Sequence, residues 1–232
     1  MGAGQFCANP GLLLAIEGEG LDAFVAAATG AVAEADSGTM LTTGIHAAYE
    51  KGTKALADHQ HVETLAAGKE GNGLTRGQAI IFSTTAQAFI ADKALGHEVF
   101  GASAILVRCK DEAELRDILE AAEGQLTATL HMDAEDEGMA AKLLPVLERK
   151  VGRILANGWP TGVEVTHAMV HGGPYPATSD ARTTSVGSLA IDRFLRPVSY
   201  QNLAQGLLPP ELRDDASNDG APRLIDGKLT VN

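Results

Sequence analysis

Short apolar runs alternate with helical patterns between residues 104 and 157, and this alternation constrains the fold more than any other feature of the sequence. Three runs are typical of strands, and they read ASAILVRC, QLTATLHM and GRILANGW. The first is apolar on both faces, as in a buried parallel strand. Because each intervening segment has the spacing of a helix, the order strand–helix–strand–helix–strand predicts one parallel sheet with crossover helices.

The helix between the first two runs has clear start and stop signals. Asp111 can cap its amino end, and Glu114 follows at the spacing of a capping box. Gly124 can end the helix in a left-handed turn, because glycine adopts that conformation without steric cost. These signals predict a complete crossover helix between two neighbouring strands.

The remaining segments extend the same pattern. Upstream strand and helix patterns are LLLAI (12–16), IHAAYEKGTKALADH (45–59), VETLAAG (62–68) and QAIIFST (78–84). Downstream, a loop-rich stretch precedes a short helix, SLAIDRFL, and a polar tail. We therefore expect an α/β fold with a mostly parallel twisted sheet and crossover helices. One domain is predicted over residues 1–195, with a C-terminal strand and extended tail over 196–232.

The acidic balance of the chain excludes several classes of partner. Its 232 residues carry a formal net charge of −12, whereas nucleic-acid and anionic-membrane surfaces need clustered Lys and Arg. No apolar run reaches the ~18 residues that span a bilayer, and the first residues lack the pattern of a secretory signal. Two cysteines do not make a disulfide framework, so a cytoplasmic location is expected.

One of the two cysteines lies in a setting that is unusual for a buried thiol. Cys7 is surrounded by glycines, amides and a proline in GAGQFCANPGL, whereas Cys109 ends an apolar strand, as structural cysteines often do. Glycines let a substrate approach the backbone closely, and free amide N–H groups can stabilise an oxyanion. The pattern alone leaves Cys7 open to two interpretations, a nucleophilic thiol or an inert residue.

Three segments, in the same order along the chain, resemble the aldehyde dehydrogenase superfamily. GQFCANPGL (4–12) resembles the active-site cysteine motif of that family, and HEVFGAS (97–103) resembles its Glu-x-Phe-Gly-Pro motif, with Ala102 in place of the usual proline. The stretch from 152 to 188 resembles the strand and substrate-side loop near the family's C-terminal end. The resemblance covers residues 1–205 and is greatest to the branch acting on 2,5-dioxopentanoate; a related branch oxidises fatty aldehydes with NADP.

The resemblance implies roles for four residues. Cys7 would attack the aldehyde, giving a thiohemiacetal and then a thioester, and its backbone N–H would form half of the oxyanion site. Glu98 would hydrogen-bond the nicotinamide ribose of NAD or NADP, and Phe100 would pack beside the ring. Arg182, near the expected substrate entrance, is a candidate for binding the carboxylate of a short acidic aldehyde. Without the resemblance, Glu98 is typical of a solvated carboxylate and Phe100 of a core aromatic. Arg182 could equally be a solvated arginine or a partner for Asp180, two residues away.

The resemblance also implies that this chain is incomplete as an enzyme. Family members are longer, and their N-terminal half carries the cofactor domain and the glutamate general base, neither of which is found here. The glycines of GKEGNGLTRG lack the strand–turn–helix context of a dinucleotide fingerprint. We therefore expect a catalytic domain that is inactive alone, has the missing N-terminal half and a small aldehyde as partners, and forms a homo-oligomer.

Two other functions remain open from the residues. Cys7 could serve a thiol hydrolase with His167 or His171 as the base, because an adjacent imidazole activates a thiol. The chain could also be a folded association module without catalysis. His59, His61 and Glu63 could contribute metal ligands from one strand face, but a surface loop explains them more simply, and no metal site is expected.

Overall fold

The computed structural model describes residues 2–216 and 222–230. The chain divides into two compact units, Met1–Arg193 and Phe194–Asn232. Within the described part of the first unit, the strands are β1 (Leu12–Ile16), β2 (Gly38–Thr39), β3 (Glu63–Ala67), β4 (Arg76–Gly77), β5 (Ile80–Thr85), β6 (Ser103–Cys109), β7 (Gln125–Leu130) and β8 (Val151–Ala156). The α-helices are α1 (Glu19–Glu34), α2 (Thr43–Ala57), α3 (Ala86–Ala91), α4 (Glu112–Ala121) and α5 (Glu137–Lys150).

The main sheet confirms the predicted fold class. Its strand order is β1-β6-β5-β3; β1, β6 and β5 run parallel, and β3 is antiparallel to β5. The run in β6 is apolar on both faces because the strand is central: Leu106 and Val107 are fully buried, as is Phe82 on β5. Helix side chains cover this core, and Ile118 of α4 and Leu143 of α5 belong to the same buried cluster.

The prediction of one continuous parallel sheet through residues 104–157 is wrong in one respect. Strands β7 and β8 pair in parallel with each other but form a separate two-stranded sheet, whereas β6 belongs to the main sheet. Periodicity predicts strands and crossovers, but the order in which strands pair depends on packing. Both strands are only partly buried, and Ala128, Leu130 and Ile154 pack against the main core at their edges.

Asp111 caps the start of α4 as predicted, but Glu114 bonds a different backbone N–H from the one that a capping box requires. The Asp111 carboxylate accepts a hydrogen bond from the Glu114 backbone N–H at 3.0 Å. Glu114 does not return the bond to Asp111; its Oε2 accepts from the backbone N–H of Lys110 at 2.9 Å. These bonds satisfy backbone donors at the amino end, which lack helical partners.

The predicted role of Gly124 at the end of α4 is wrong. The helix ends at Ala121, and Ala122 is already extended, with φ −61° and ψ 146°. Gly124 serves tertiary packing instead, since a Cβ there would lie 2.4 Å from the carbonyl oxygen of Pro174. Only glycine permits this contact, which brings the loop after residue 170 onto the amino end of β7.

The second unit contains little regular structure in its described residues. An antiparallel hairpin joins β9 (Arg223–Ile225) to β10 (Lys228–Thr230). Short 3₁₀ turns precede it at Gln205–Leu207 and Pro210–Leu212. The short helix predicted from SLAIDRFL is a 3₁₀ segment, Ser188–Phe194, at the boundary of the two units. Among the described residues, no helix is both long and apolar enough to cross a membrane.

Candidate active site

The Cys7 loop lies at the amino ends of the parallel strands. It connects a 3₁₀ turn, Gly2–Gly4, to β1, and the Cys7 side chain is exposed, whereas Cys109 is fully buried. Burial raises the pKa of the Cys109 thiol to about 11, and carboxylates of neighbouring Glu and Asp residues add to this rise. Because the reactive form of cysteine is the thiolate, Cys7 is the accessible thiol of this chain and Cys109 is a core residue.

Two contacts hold the Cys7 loop against the HEVFGAS segment. The Asn9 side-chain amide donates a hydrogen bond to the Gly101 carbonyl at 3.2 Å. Gly4 has a left-handed φ of 70°, and a Cβ there would lie only 2.3 Å from that carbonyl oxygen. The ring of Tyr49 packs against Gly101 and leaves no room for a side chain there. The Cys7 loop and the HEVFGAS segment therefore form one packed unit.

The structure brings His171 to the Cys7 thiol. The Cys7 Sγ and His171 Nε2 atoms are 3.2 Å apart, although 164 residues separate them in the sequence. The backbone N–H of His171 donates to the Thr184 hydroxyl at 2.8 Å, and the Ser185 hydroxyl donates to the His171 carbonyl at 2.9 Å. Of the two histidines considered from the sequence, His171 is buried beside the thiol and His167 is exposed.

The surroundings of His171 favour its neutral form. Burial lowers the pKa of the imidazole below its ordinary value, and the positive charge of Arg153 lowers it further. The Nδ1 atom is buried and has no hydrogen-bond partner among residues 2–216 and 222–230. An imidazole that stays neutral at pH 7 can accept the proton of a neighbouring thiol through Nε2.

Glycines allow the His171 loop to pack on the amino ends of β7 and β8. A Cβ on Gly152 would lie 2.4 Å from the Gly172 carbonyl oxygen. Gly173 has a φ of 137°, and a Cβ there would lie 2.5 Å from the Gln125 carbonyl oxygen. These backbone contacts fix the loop directly after His171, so the imidazole position is set by main-chain packing as well as by hydrogen bonds.

A cavity of about 480 Å³ lies beside Cys7. Its lining includes Cys7, Asn9, Glu98, Phe100, Ser103 and Gln125. Glu98 and Phe100 are both exposed residues that line this cavity, with 38% of Phe100 accessible. Three of the four residues singled out from the sequence, Cys7, Glu98 and Phe100, therefore share one cavity.

Arg182 is the fourth candidate, and the structure pairs it with an acid. Its Nε donates to the Asp180 carboxylate at 3.0 Å, and its backbone N–H donates to the same oxygen at 3.1 Å. Most of its side chain is exposed to solvent. The Asp180 contact raises the pKa of Arg182, so the guanidinium remains charged in this setting.

Of the two histidines at 59 and 61, His59 contacts an acidic side chain. His59 Nε2 lies 3.2 Å from the Asp92 carboxylate, and that contact contributes to a lowered Asp92 pKa, after a backbone hydrogen bond from Ala94. Nowhere in the described residues do three potential metal-ligating side chains of His, Cys, Asp or Glu converge.

Comparison with known proteins identifies the family of this chain. The chain is 53% identical over 229 residues to alpha-ketoglutaric semialdehyde dehydrogenase 2 of Azospirillum brasilense, covering 98% of this chain and 43% of the relative. It is 45% identical over 237 residues to alpha-ketoglutaric semialdehyde dehydrogenase of Acinetobacter baylyi, covering 100% of this chain and 44% of the relative. The chain belongs to the aldehyde dehydrogenase superfamily. It spans less than half the length of these two relatives. No protein-family model matches it.

Solved structures of aldehyde dehydrogenases share the fold. Betaine aldehyde dehydrogenase from Staphylococcus aureus in complex with NAD⁺ superimposes with a TM-score of 0.65 at 16% identity, covering 83% of this chain and 38% of that one. Salicylaldehyde dehydrogenase from Pseudomonas putida G7 gives a TM-score of 0.64 at 20% identity, covering 85% and 41%. At this low identity the likeness concerns the fold.

The groups at the cavity suit one end of a nicotinamide cofactor. Phe100 offers an aromatic face to a planar ring, and the Glu98 carboxylate can accept hydrogen bonds from ribose hydroxyls. Both side chains have room for a ligand, because they line the cavity and remain partly exposed. The residues present are therefore compatible with the nicotinamide–ribose part of NAD or NADP.

Three residues around this site were not predicted from the sequence. Asn9 joins the Cys7 loop to the HEVFGAS segment. Its place in the cysteine motif did not reveal this contact. Arg153 acts on His171 from β8, and its charge within an otherwise apolar run was an available signal. Thr184 carries no local signal, because its hydroxyl becomes relevant only when the loop folds back on His171.

Proposed function

We propose that this chain is the nucleophile-bearing part of an NAD(P)-dependent aldehyde dehydrogenase that oxidises 2,5-dioxopentanoate (α-ketoglutaric semialdehyde) to 2-oxoglutarate. The observation that carries the proposal is the exposed Cys7 at the cavity lined by Glu98 and Phe100. The two relatives, at 53% and 45% identity, support the substrate. Fatty aldehydes with NADP are the alternative substrate class. Residues 1–195 would form the catalytic domain.

The chemistry begins at the thiol. The Cys7 Sγ attacks the aldehyde carbon to form a thiohemiacetal, and His171 Nε2, 3.2 Å from Sγ, accepts the thiol proton. NAD(P)⁺, when bound, supplies the hydride acceptor, with Glu98 and Phe100 holding its nicotinamide–ribose end. Oxidation of the thiohemiacetal leaves a thioester on Cys7, which water hydrolyses to release the acid and the thiol.

The complete reaction requires more of the enzyme than this chain provides. The chain spans 43% and 44% of its two relatives. We propose that the remaining part of the enzyme supplies the cofactor domain and the base for thioester hydrolysis, and that the assembled enzyme is a homo-oligomer. The chain by itself is then inactive, because catalysis requires the cofactor held within near-attack distance of the substrate carbon.

A chimera tests this proposal. The matched 229 residues of the Azospirillum brasilense relative are replaced by this chain, and NAD(P)H formation from 2,5-dioxopentanoate is followed by absorbance. We expect aldehyde-dependent NAD(P)H formation by the chimera and none by the 232-residue chain alone. A folded chimera that is silent with NAD⁺ and NADP⁺, on both 2,5-dioxopentanoate and a long-chain aldehyde, contradicts the proposal.

We also propose that Arg182 binds the carboxylate of the substrate, for which it must exchange its contact with Asp180. If so, Arg182→Ala in the chimera lowers kcat/KM for 2,5-dioxopentanoate by about 10- to 150-fold, equivalent to ~1.5–3 kcal/mol for a charged hydrogen bond. Hexanal, which has no carboxylate, provides the control and is expected to react at an unchanged rate. Equal losses on both substrates assign Arg182 a structural role instead.

The Cys7–His171 contact also favours a second candidate, a thiol hydrolase. A dyad of this kind can hydrolyse an activated ester without nicotinamide. Repeated turnover of p-nitrophenyl acetate by the 232-residue chain, lost in His171→Gln, supports the hydrolase. Acylation limited to one equivalent per chain supports the dehydrogenase part, because its deacylating base lies elsewhere.

A further inference from the structure

We propose that Arg153 is a positioning residue for His171, which fixes the loop leading to that histidine and presents a positive charge to its imidazole. The inference rests on the proposed function, in which His171 accepts the Cys7 proton. Arg153 is the third residue of β8 and is partly buried. Its contacts connect β8 to the loop that leads to His171.

One guanidinium ties β8 to the loop 160–169. Its Nη1 donates to the Gly162 carbonyl at 2.8 Å, and its Nη2 donates to the Pro160 carbonyl at 2.5 Å. Nη1 also lies 3.5 Å from the sulfur of Met169, two residues before His171. The side chain therefore contacts both ends of the loop, and the last contact is next to the segment that carries the imidazole.

The charge of Arg153 has no acidic partner among the described residues. Within the part of the chain that the structure describes, its side-chain hydrogen bonds go to two carbonyls and a thioether, all of them neutral. Its Nε atom is buried and has no partner among the described residues. The side chain is only partly buried, and no carboxylate offsets its charge among the described residues. A neutral amide could also bond these loop carbonyls, so the hydrogen bonds alone do not require a cation, and we infer that the charge itself has a role.

That role is exerted on the imidazole. Among the described residues, Cys7 contacts the His171 ring from the loop before β1 and Arg153 acts on it from β8. The Thr184 and Ser185 hydroxyls bond the His171 backbone. Arg153 adds to the effect of burial in lowering the His171 pKa, because a second positive charge nearby disfavours imidazolium. The arrangement keeps a proton acceptor available to Cys7 at pH values where an ordinary histidine begins to protonate.

The test separates charge from hydrogen bonding. The His171 pKa is measured by NMR titration of the imidazole Cε1–H in the 232-residue chain, with His171→Gln identifying the resonance. Arg153→Gln keeps donors for the carbonyls and removes the charge, whereas Arg153→Lys keeps the charge. The control is Arg149→Gln, a half-exposed residue of α5 that pairs with Glu120.

We expect the His171 pKa to rise in Arg153→Gln and to stay near the wild-type value in Arg153→Lys and Arg149→Gln. In the chimera, the acidic limb of the kcat/KM profile should move to higher pH in Arg153→Gln only, with little change on the alkaline side. Arg153→Met replaces Arg153→Gln if the amide variant does not fold. A titration unchanged by loss of charge, or shifted equally in the lysine variant, overturns the inference. The NMR titration does not depend on activity of the chimera. An inactive chimera therefore counts against the proposed function, whereas an unchanged His171 pKa counts against the role of Arg153.

Discussion

Cys7→Ser in the chimera is expected to lower kcat for aldehyde oxidation by at least ~10³-fold. A serine hydroxyl is far less acidic than a thiol, so a neutral imidazole such as His171 cannot activate it to the same extent. The substitution removes no buried contact of consequence, because Cys7 is exposed. The loss should therefore appear in kcat, with the thermal midpoint of unfolding nearly unchanged.

The second cysteine provides the matched control for this prediction. Cys109→Ala removes a fully buried thiol from β6 and leaves a small cavity, which costs about 1 kcal/mol of stability. It should leave kcat within about twofold of the unsubstituted chimera, since Cys109 lies in the core. Comparable losses of kcat in the two variants would contradict the assignment of Cys7 as the nucleophile.

Gly4→Ala is expected to destabilise the first unit by about 2–4 kcal/mol. Two costs add: alanine disfavours the φ of 70° found here, and its Cβ would lie 2.3 Å from the Gly101 carbonyl oxygen. The loop can relieve the clash only by moving away from Gly101, which also breaks the Asn9 bond. We expect a lower free energy of unfolding in urea and altered alkylation of Cys7 by iodoacetamide.

Gly11→Ala is the control that tests whether the destabilisation by Gly4→Ala arises from the contact of Gly4 with Gly101. A Cβ on Gly11 meets no atom within 4 Å, and its φ is outside the left-handed region. Its free energy of unfolding should stay within about 0.5 kcal/mol of the parent value. If both glycine variants unfold at the same urea concentration, the packing of Gly4 on Gly101 does not contribute to the free energy of unfolding.

The features that the sequence predicted correctly depend on residues close together in the chain. The apolar run in β6 forms the centre of the sheet because a strand buried on both faces has no polar face to alternate. Asp111 caps α4 because its carboxylate reaches a donor three residues away. Cys7 is exposed and Cys109 buried, in line with the composition around each. These features depend on neighbours within a few residues, so the sequence alone was sufficient to predict them.

Tertiary packing decided the features that join distant segments. The Cys7–His171 contact spans 164 residues, and nothing near either residue distinguishes His171 from His167. Gly124 carries the signal of a helix end but is required for contact with Pro174. Strand β7 pairs with β8 in a separate sheet, although the apolar pattern of these strands resembles that of β6. Short-range patterns encode which elements form, whereas the burial of distant surfaces against one another fixes which side chains meet.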